Sequence, residues 1–197
     1  MQATWIAAAG TALRDIPDRD EAFRAAVGPL ISVAVRVLRR LGVREHKLEL
    51  EDALQAVLVS VDRRFDELRE PNELRAYLCT ACVSVARDVG RRRKRDAACR
   101  GDTDDVDAAP SSIPSPEDAL GHKEELAVLQ RLIDALDDER REVFVLYEIE
   151  GLTGQEIAKH LGIPMGTVSS RLRRAREDFV AMVARLRAAS VRGSVGR

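Results

Sequence analysis

Two short helical patterns meet at a tight turn within residues 152–179, and this stretch constrains the fold more than any other. Thr153 stands three residues before Glu156, the spacing at which a hydroxyl and a carboxylate cap a helix reciprocally. Gly162 can adopt the left-handed conformation that ends a helix, and Pro164 suits the first turn of the next helix. The sequence therefore predicts a helix-turn-helix with a connection of about three or four residues.

The second helix of this motif has one apolar face and one polar face rich in arginine. Val168 and Leu172 are spaced to pack inward. The other positions carry hydroxyl and guanidinium groups, which donate hydrogen bonds to base edges and phosphates in a major groove. A solvated helix in an ordinary bundle is the alternative, but it does not require the capping pair and the glycine turn. The candidate DNA-binding residues are Thr167, Ser169, Ser170, Arg171, Arg173, Arg174 and Arg176.

Residues 134–177, DALDDERREVFVLYEIEGLTGQEIAKHLGIPMGTVSSRLRRARE, resemble region 4 of the bacterial extracytoplasmic-function (ECF, group 4) sigma factors of RNA polymerase. The resemblance implies that the second helix of the motif reads the minus-35 promoter element. It also divides the candidate residues into two groups. Aligned on Pro164, Gly166, Thr167 and Val168, it places base contacts at Ser169, Ser170, Arg173 and Arg174, and phosphate contacts at Arg171 and Arg176.

The composition predicts an all-α protein. Of the 197 residues 45% are apolar but only 4% are aromatic, so its cores must form from aliphatic side chains on amphipathic helices. The net charge of −1 hides a basic run at residues 91–95 followed by an acidic stretch. We predict two small helical domains, a three-helix bundle and a helix-turn-helix domain, joined by a flexible acidic linker. The predicted limits are 1–97 for the first domain, 98–115 for the linker, 116–189 for the second domain and 190–197 for a disordered tail.

Apolar residues at helical spacing predict the individual helices. In the first domain two helices cover about residues 20–41 and 50–68, and a longer third helix follows the break at Pro71 and Asn72 and runs to about Arg95. In the second domain a helix capped by Ser115 and Pro116 precedes a helix over residues 138–150 and the helix-turn-helix. The inward positions of that capped helix are Leu120, Leu126, Leu129, Leu132, Ile133 and Leu136.

The first domain resembles region 2 of the same sigma factors more loosely. Family members use the second helix of this region to dock on the clamp helices of the largest subunit of RNA polymerase. The resemblance assigns that contact to Glu51, Asp52 and Gln55, which share one face of the predicted helix. The sequence departs from the family pattern at Ala56, where an acid is usual, at Tyr77, which replaces a tryptophan, and at Val83 and Ser84, where Arg and Asn are common.

The resemblance to region 2 also implies contact with the single-stranded minus-10 element. Aromatic side chains can stack on unpaired bases, and each cation near a phosphate makes the affinity depend on salt. The candidate residues for the minus-10 region are Arg69, Asn72, Tyr77 and Arg87. The basic run adds Arg91, Arg92, Arg93 and Lys94.

Cys79 and Cys82 form a CxxC pair, which can bind a metal or sense redox state. Residues three apart share one helical face, however, and both thiols fall within an apolar pattern where small buried cysteines are common. The three histidines are scattered along the chain, and there is no second CxxC. The sequence therefore favours structural thiols, with no metal and no cofactor.

We interpret the chain as a sigma factor that binds core RNA polymerase and both double- and single-stranded promoter DNA. It contains no glycine-rich phosphate loop and no catalytic motif, which argues against an enzyme. It has no secretory signal and no apolar run long enough to cross a bilayer, so we expect it in the cytoplasm, away from membranes. An anti-sigma protein is a further partner implied by the family. The alternatives are a stand-alone DNA-binding regulator and a sigma-like interaction protein that does not initiate transcription.

Overall fold

The computed structural model describes residues 18–44, 49–68, 70–100 and 121–194, and all regular elements within these ranges are helical. This confirms the predicted all-α fold class. We call residues 18–100 the first half and residues 121–194 the second half. Residues 101–120, which contain most of the predicted linker and the predicted Ser115–Pro116 cap, lie outside the described ranges, so the domain limits stay a prediction.

The first predicted helix is divided in two. Helix α1 spans Arg19–Val27, a 3₁₀ turn covers Gly28–Leu30, and helix α2 spans Ile31–Arg40. Pro29 accounts for the break, because its missing N–H and its ring cannot continue the hydrogen bonding of an α-helix. The continuous helix predicted over residues 20–41 was therefore wrong at this point.

Two further helices complete the first half. Helix α3 spans Glu49–Arg64 and ends in a 3₁₀ turn over Phe65–Glu67, and helix α4 spans Pro71–Arg100. Helix α4 thus continues through residues 98–100, which the sequence analysis assigned to the linker.

Helices α2, α3 and α4 bury their apolar faces against one another. Each fully buried Val or Leu side chain contributes about 1.5 to 3 kcal/mol, so this face-to-face packing supplies most of the driving force for folding of the first half. Val83, one of the positions where the sequence departs from the family pattern, is one of these core residues. The side chains without exposed surface include Val37, Leu38, Val57, Val61, Leu78 and Val83.

The second half contains helix α5 over Gly121–Asp134, helix α6 over Asp138–Phe144 with a π-helical turn over Val145–Ile149, helix α7 over Gly154–Leu161 and helix α8 over Met165–Ser194. The helix predicted over residues 138–150 is present, with a wider last turn. Helix α8 continues through residues 190–194, which were predicted to belong to a disordered tail.

Helix α5 follows its predicted apolar pattern only in its second part. Ile133 and Leu136 are buried, whereas Leu126 is 55% exposed. The prediction that Leu126 belongs to the core was wrong, because this turn of α5, residues 125–128, is exposed on all sides. Leu120 lies outside the described residues.

The two halves pack against each other. Their buried apolar side chains form one continuous cluster that runs from α2, α3 and α4 into α6, α7 and α8. Helix α4 contacts α7 and helix α2 contacts α5. One face of α4 is consequently covered by the second half.

Candidate DNA and polymerase interfaces

The helix-turn-helix has the capping geometry that the sequence predicts. The Thr153 hydroxyl accepts a hydrogen bond from the Glu156 N–H at 3.2 Å, and the Glu156 carboxylate accepts one from the Thr153 N–H at 2.7 Å. Gly162 ends α7 with φ of +66°, in the left-handed region that glycine enters without a steric penalty. Helix α8 begins at Met165, one residue after Pro164, which was predicted to lie in its first turn.

Close packing fixes the position of α8 on α7. Ile157 of α7 and Val168 of α8 are fully buried, and Leu172 is nearly so. A Cβ atom built on Gly154 would lie 2.5 Å from the Met165 Cε atom, so a glycine at the start of α7 lets the start of α8 approach closely. The recognition helix α8 is therefore held by its apolar face, and its polar face remains outward.

Four candidate base-contacting residues of α8 reach solvent. Ser169, Ser170, Arg173 and Arg174 are all exposed, while Thr167 is half-buried. The Arg173 guanidinium pairs with Glu177 one turn later at 2.6 Å, with both side chains about 60% exposed. An exposed pair of this kind contributes under about 1 kcal/mol, so it can be exchanged for a contact with DNA at little cost.

Arg171 and Arg176 pair with acids elsewhere in the second half, although the Arg176 side chain is also 51% exposed. Arg171 is only 18% exposed and pairs with Glu139 of α6 at 2.5 Å. Arg176 pairs with Glu148 at 2.6 Å and lies over the Tyr147 ring, with its Cζ atom 5.3 Å from the ring centroid. Both arginines thus tie α8 to α6 and to the π-helical turn that follows α6. These two ion pairs were not predicted from the sequence, because the acids lie about 30 residues away and carry no local signal.

The three candidate polymerase-docking residues lie together on the outer face of α3. Glu51, Asp52 and Gln55 are all exposed, and we call them the docking strip. The opposite face of the same helix is buried through Val57 and Val61. The exposed Val59 lies on the same outer face, which is therefore not wholly polar, and the docking role of the strip stays a prediction.

The candidate minus-10 residues do not share one environment. Arg69 lies outside the described residues. Tyr77, Arg87 and Arg93 are partly buried and contact other parts of the protein. The remaining members reach solvent, and these are Asn72, Arg91, Arg92 and Lys94.

Tyr77 lies between α3 and the second half. Its hydroxyl is 3.1 Å from the Ser60 hydroxyl, and the Arg64 guanidinium stacks over its ring at 5.0 Å. The His160 ring of α7 meets the Tyr77 ring edge-on, with 6.0 Å between the centroids. Burial lowers the pKa of His160 below its ordinary value, and the positive charges of Lys159 and Arg64 lower it further.

Arg93 holds the first half together. It donates to the Glu49 carboxylate at 2.9 Å from Nε and to the Gly42 carbonyl at 2.9 Å from Nη1. The hydrogen bond from Arg93 lowers the pKa of Glu49, because it favours the charged carboxylate. Arg93 therefore differs from its neighbours Arg92 and Lys94, whose charges face solvent.

The CxxC thiols are core groups. Cys79 and Cys82 have no exposed surface, and burial raises the pKa of Cys79 to about 12. A thiol at such a pKa stays protonated at neutral pH, and the thiolate is the form that binds metals and reacts with oxidants. In the part of the chain that the structure describes, no three His, Cys, Asp or Glu side chains are grouped closely enough to hold a metal ion. None of the helices described combines the length and apolar character needed to cross a bilayer.

Comparison with known proteins agrees with this geometry. Residues 126–179 match the family "Sigma-70, region 4", a span that includes the whole helix-turn-helix. The ECF RNA polymerase sigma factor SigE of Mycolicibacterium smegmatis is 32% identical over 144 residues, which are 73% of this chain and 54% of SigE. The ferric citrate uptake sigma factor FecI of Escherichia coli is 32% identical over 120 residues, 60% of this chain and 66% of FecI. The chain thus spans about half the length of the first of these relatives and less than two thirds of the second.

Two solved structures share the fold. CnrH in complex with the cytosolic domain of CnrY aligns over 89% of this chain and 94% of CnrH, with a TM-score of 0.59 and 23% identity. The sigma factor RpoE in complex with the anti-sigma factor NepR, from Bartonella quintana, aligns over 82% of this chain and 96% of RpoE, with a TM-score of 0.61 and 20% identity. Residues 126–179 are thus similar to sigma-70 region 4, and 73% of the chain is similar to part of an ECF RNA polymerase sigma factor.

Proposed function

We propose that this protein is a sigma factor of the ECF type, group 4, which binds core RNA polymerase and directs initiation at specific promoters. The observation that carries the proposal is the region 4 match over residues 126–179, because it covers a helix-turn-helix with outward-facing hydroxyl and guanidinium groups. A sigma factor is a dissociable specificity subunit, so this role requires no cofactor and no catalytic residue. It places the protein in the cytoplasm with the polymerase.

The second half recognises double-stranded DNA at the minus-35 element. Exposed serine hydroxyls and arginine forks suit base edges in a major groove, and arginine pairs bidentately with guanine. We assign phosphate contacts to Thr167 and Arg176, while Arg171 acts mainly by holding α8 against Glu139. The base-reading residues are Ser169, Ser170, Arg173 and Arg174.

The first half carries the other two contacts. The docking strip on α3 offers two carboxylates and an amide to the clamp helices of the largest polymerase subunit. Residues on and before α4 bind the single-stranded minus-10 element, with Tyr77 available to stack on a base and the exposed cations available to phosphates. We assign the minus-10 contacts to Arg69, Asn72, Tyr77, Arg87, Arg91, Arg92 and Lys94.

A regulatory protein partner belongs to this proposal as well. The solved relative RpoE is described in complex with an anti-sigma factor, NepR, and CnrH in complex with the cytosolic domain of CnrY. Both complexes contain a chain with the fold of this protein. We infer that an anti-sigma protein also binds this chain.

Reconstituted transcription tests the proposed function. Purified protein is added to core polymerase on a library of promoter templates, and transcripts are sequenced at their 5′ ends. We expect start sites that core polymerase alone does not use and that an Arg173→Ala, Arg174→Ala double variant no longer selects. Binding to DNA without any change in initiation would instead support a stand-alone regulator.

A further inference from the structure

The second half covers the side of α4 that carries Tyr77 and Arg87, and two buried carboxylates hold it there. The first is Glu150, which follows the π-helical turn and whose side chain has no exposed surface. Arg36 of α2 donates to both of its carboxylate oxygens, from Nε at 2.9 Å and from Nη2 at 2.8 Å. Arg75 of α4 donates to the Glu150 backbone carbonyl at 2.5 Å and to its Oε2 atom at 3.3 Å.

The second carboxylate is Glu142 of α6, which is 5% exposed. Arg87 of α4 donates to both of its oxygens, from Nε at 2.6 Å and also from Nη2. At the edge of the same contact, Lys159 of α7 pairs with Glu73 of α4 at 3.1 Å. The second half therefore meets α4 through three separate ion pairs between α4 and the elements α6 to α7.

We propose that Glu142 and Glu150 hold the isolated protein in a closed form, in which the second half occupies the DNA-facing side of α4. A carboxylate that accepts two hydrogen bonds from one guanidinium takes the place that a phosphate would occupy on the same arginine. Arg87 cannot pair with Glu142 and with a DNA phosphate through the same fork. The identity of the excluded ligand as promoter DNA rests on the proposed function, whereas the closed form itself does not.

The closed form is specific but reversible. A buried ion pair gains little net stability, because the attraction is largely offset by the loss of hydration. The three arginines are 31% to 47% exposed in the closed form, so they are already partly hydrated before the halves separate. Glu142 and Glu150 become hydrated in the open form, which removes the cost of having buried them. A partner that binds either half more tightly in the open form can therefore release the contact.

Zero-length cross-linking of the full-length wild-type protein tests the closed form directly. A carbodiimide couples a carboxylate to an amine only where the two are in contact, and Glu73 and Lys159 are both accessible, at 41% and 65% exposure. We expect a Glu73–Lys159 isopeptide in the peptide mass spectrum of the free protein, lost when core polymerase is bound. Its absence from the free wild-type protein would overturn the proposal without any variant.

Charge reversal at the two acids tests what holds the halves together. The variant Glu142→Arg, Glu150→Arg should lose the cross-link while its helical circular dichroism is retained. The matched control is Asp134→Arg, Asp138→Arg, which changes the charge equally at exposed acids of α5 and α6. If the first variant does not fold, Arg87→Glu should lose the cross-link and Arg87→Glu, Glu142→Arg should regain it. Equal cross-linking in all of these proteins would show that the two acids do not hold the closed form.

DNA binding tests the blocking role. The reversed variant should bind a fluorescent single-stranded oligonucleotide more tightly than the charge-matched control, because only the former exposes α4. Equal affinities would refute the blocking role even where the cross-link is lost. The cross-link needs no polymerase, so the closed form can stand if reconstituted transcription fails, and the sigma-factor assignment can stand if the cross-link is absent.

Discussion

Helices α3 and α4 pack side by side in the first half, yet they present their proposed contact residues in opposite ways. The docking strip on α3 is exposed along its length, while on α4 Tyr77 and Arg87 lie under the second half. Both helices contribute side chains to the same core, but α4 is buried on all sides from Leu78 to Val83. The difference comes from the second half, which covers α4 and leaves the outer face of α3 uncovered.

The comparison suggests an order of events. Polymerase can reach the docking strip without any rearrangement, whereas single-stranded DNA can reach Tyr77 only after the halves separate. Under the proposed function, this arrangement predicts that the protein engages polymerase first and binds the minus-10 strand afterwards. Each of the following predictions tests one side of that contrast.

The largest effect is expected at the exposed docking strip of α3. The family resemblance implies clamp helices with basic faces, so changing Asp52 to Lys places like charges across the proposed interface, which costs several kcal/mol. We expect co-purification with core polymerase to be lost, since about 1.4 kcal/mol already lowers the affinity tenfold. DNA binding by the second half should be unchanged.

The control is Glu21→Lys, which reverses an exposed acid on α1 and should leave polymerase binding intact. If the Asp52→Lys protein still binds polymerase and initiates at a cognate promoter, docking does not use this face of α3. The stand-alone regulator then becomes the better interpretation.

The recognition helix, like α3, offers exposed residues, and here the expected effects are smaller. Arg174→Ala should weaken binding to the cognate upstream element by about 1 to 3 kcal/mol and should relax base selection at one position. Arg171→Ala should instead lower the melting temperature, through loss of the Glu139 pair and about 1 kcal/mol of stability. Electrophoretic mobility shifts on specific and random DNA, with thermal melts, separate the two outcomes. If Arg174→Ala lowers the affinity for specific and for random DNA equally, Arg174 does not read a base.

The helix-turn-helix could be predicted from the sequence because its determinants are local. The Thr153–Glu156 capping pair and the Gly162 turn lie within ten residues, and each leaves a residue pattern that can be read directly. The break at Pro29 was also encoded locally, but the apolar period continues across it and hid the interruption. Leu126 was wrongly predicted to be buried for a related reason. Periodicity identifies the apolar face of a helix, but it does not show where the element that packs against this face ends.

The roles of individual arginines could not be predicted in the same way. Arg87, Arg93 and Arg171 each pair with an acid that lies between 30 and 60 residues away, and nothing in the local sequence distinguishes them from the exposed Arg92 or Arg174. Only the packing of helices decides which guanidinium meets a carboxylate. The contact between the two halves could not be predicted from the sequence for the same reason.

The covered side of α4 predicts a difference between the free and bound protein. Tyr77→Ala removes a stacking surface worth about 1 to 3 kcal/mol per base on single-stranded DNA. We expect this loss when the minus-10 strand binds to the complex with polymerase, and almost none when an oligonucleotide binds to the free protein, where His160 already covers the ring. Fluorescence anisotropy with both forms measures the contrast. The same loss in both forms would mean that Tyr77 is accessible before the halves separate.

The smallest effect concerns the pH dependence of the closed contact. Burial lowers the pKa of His160, so the packed protein favours the neutral imidazole, while unfolding restores the ordinary value near 6.5. Protonation therefore favours the unfolded protein, so this contribution to stability is fully present above the ordinary value and is lost as the pH falls from there through the lowered pKa of the folded protein. The ring is partly exposed, and solvent screening limits the effect to roughly a few tenths of a kcal/mol.

Between about pH 7.5 and about pH 5.5, the wild-type melting temperature should fall further than that of His160→Gln. The neighbouring charges Lys159, Arg64, Glu156 and Glu73 are common to both proteins, so identical pH profiles would show that the imidazole titrates as it does in water and does not sense the covered face of α4.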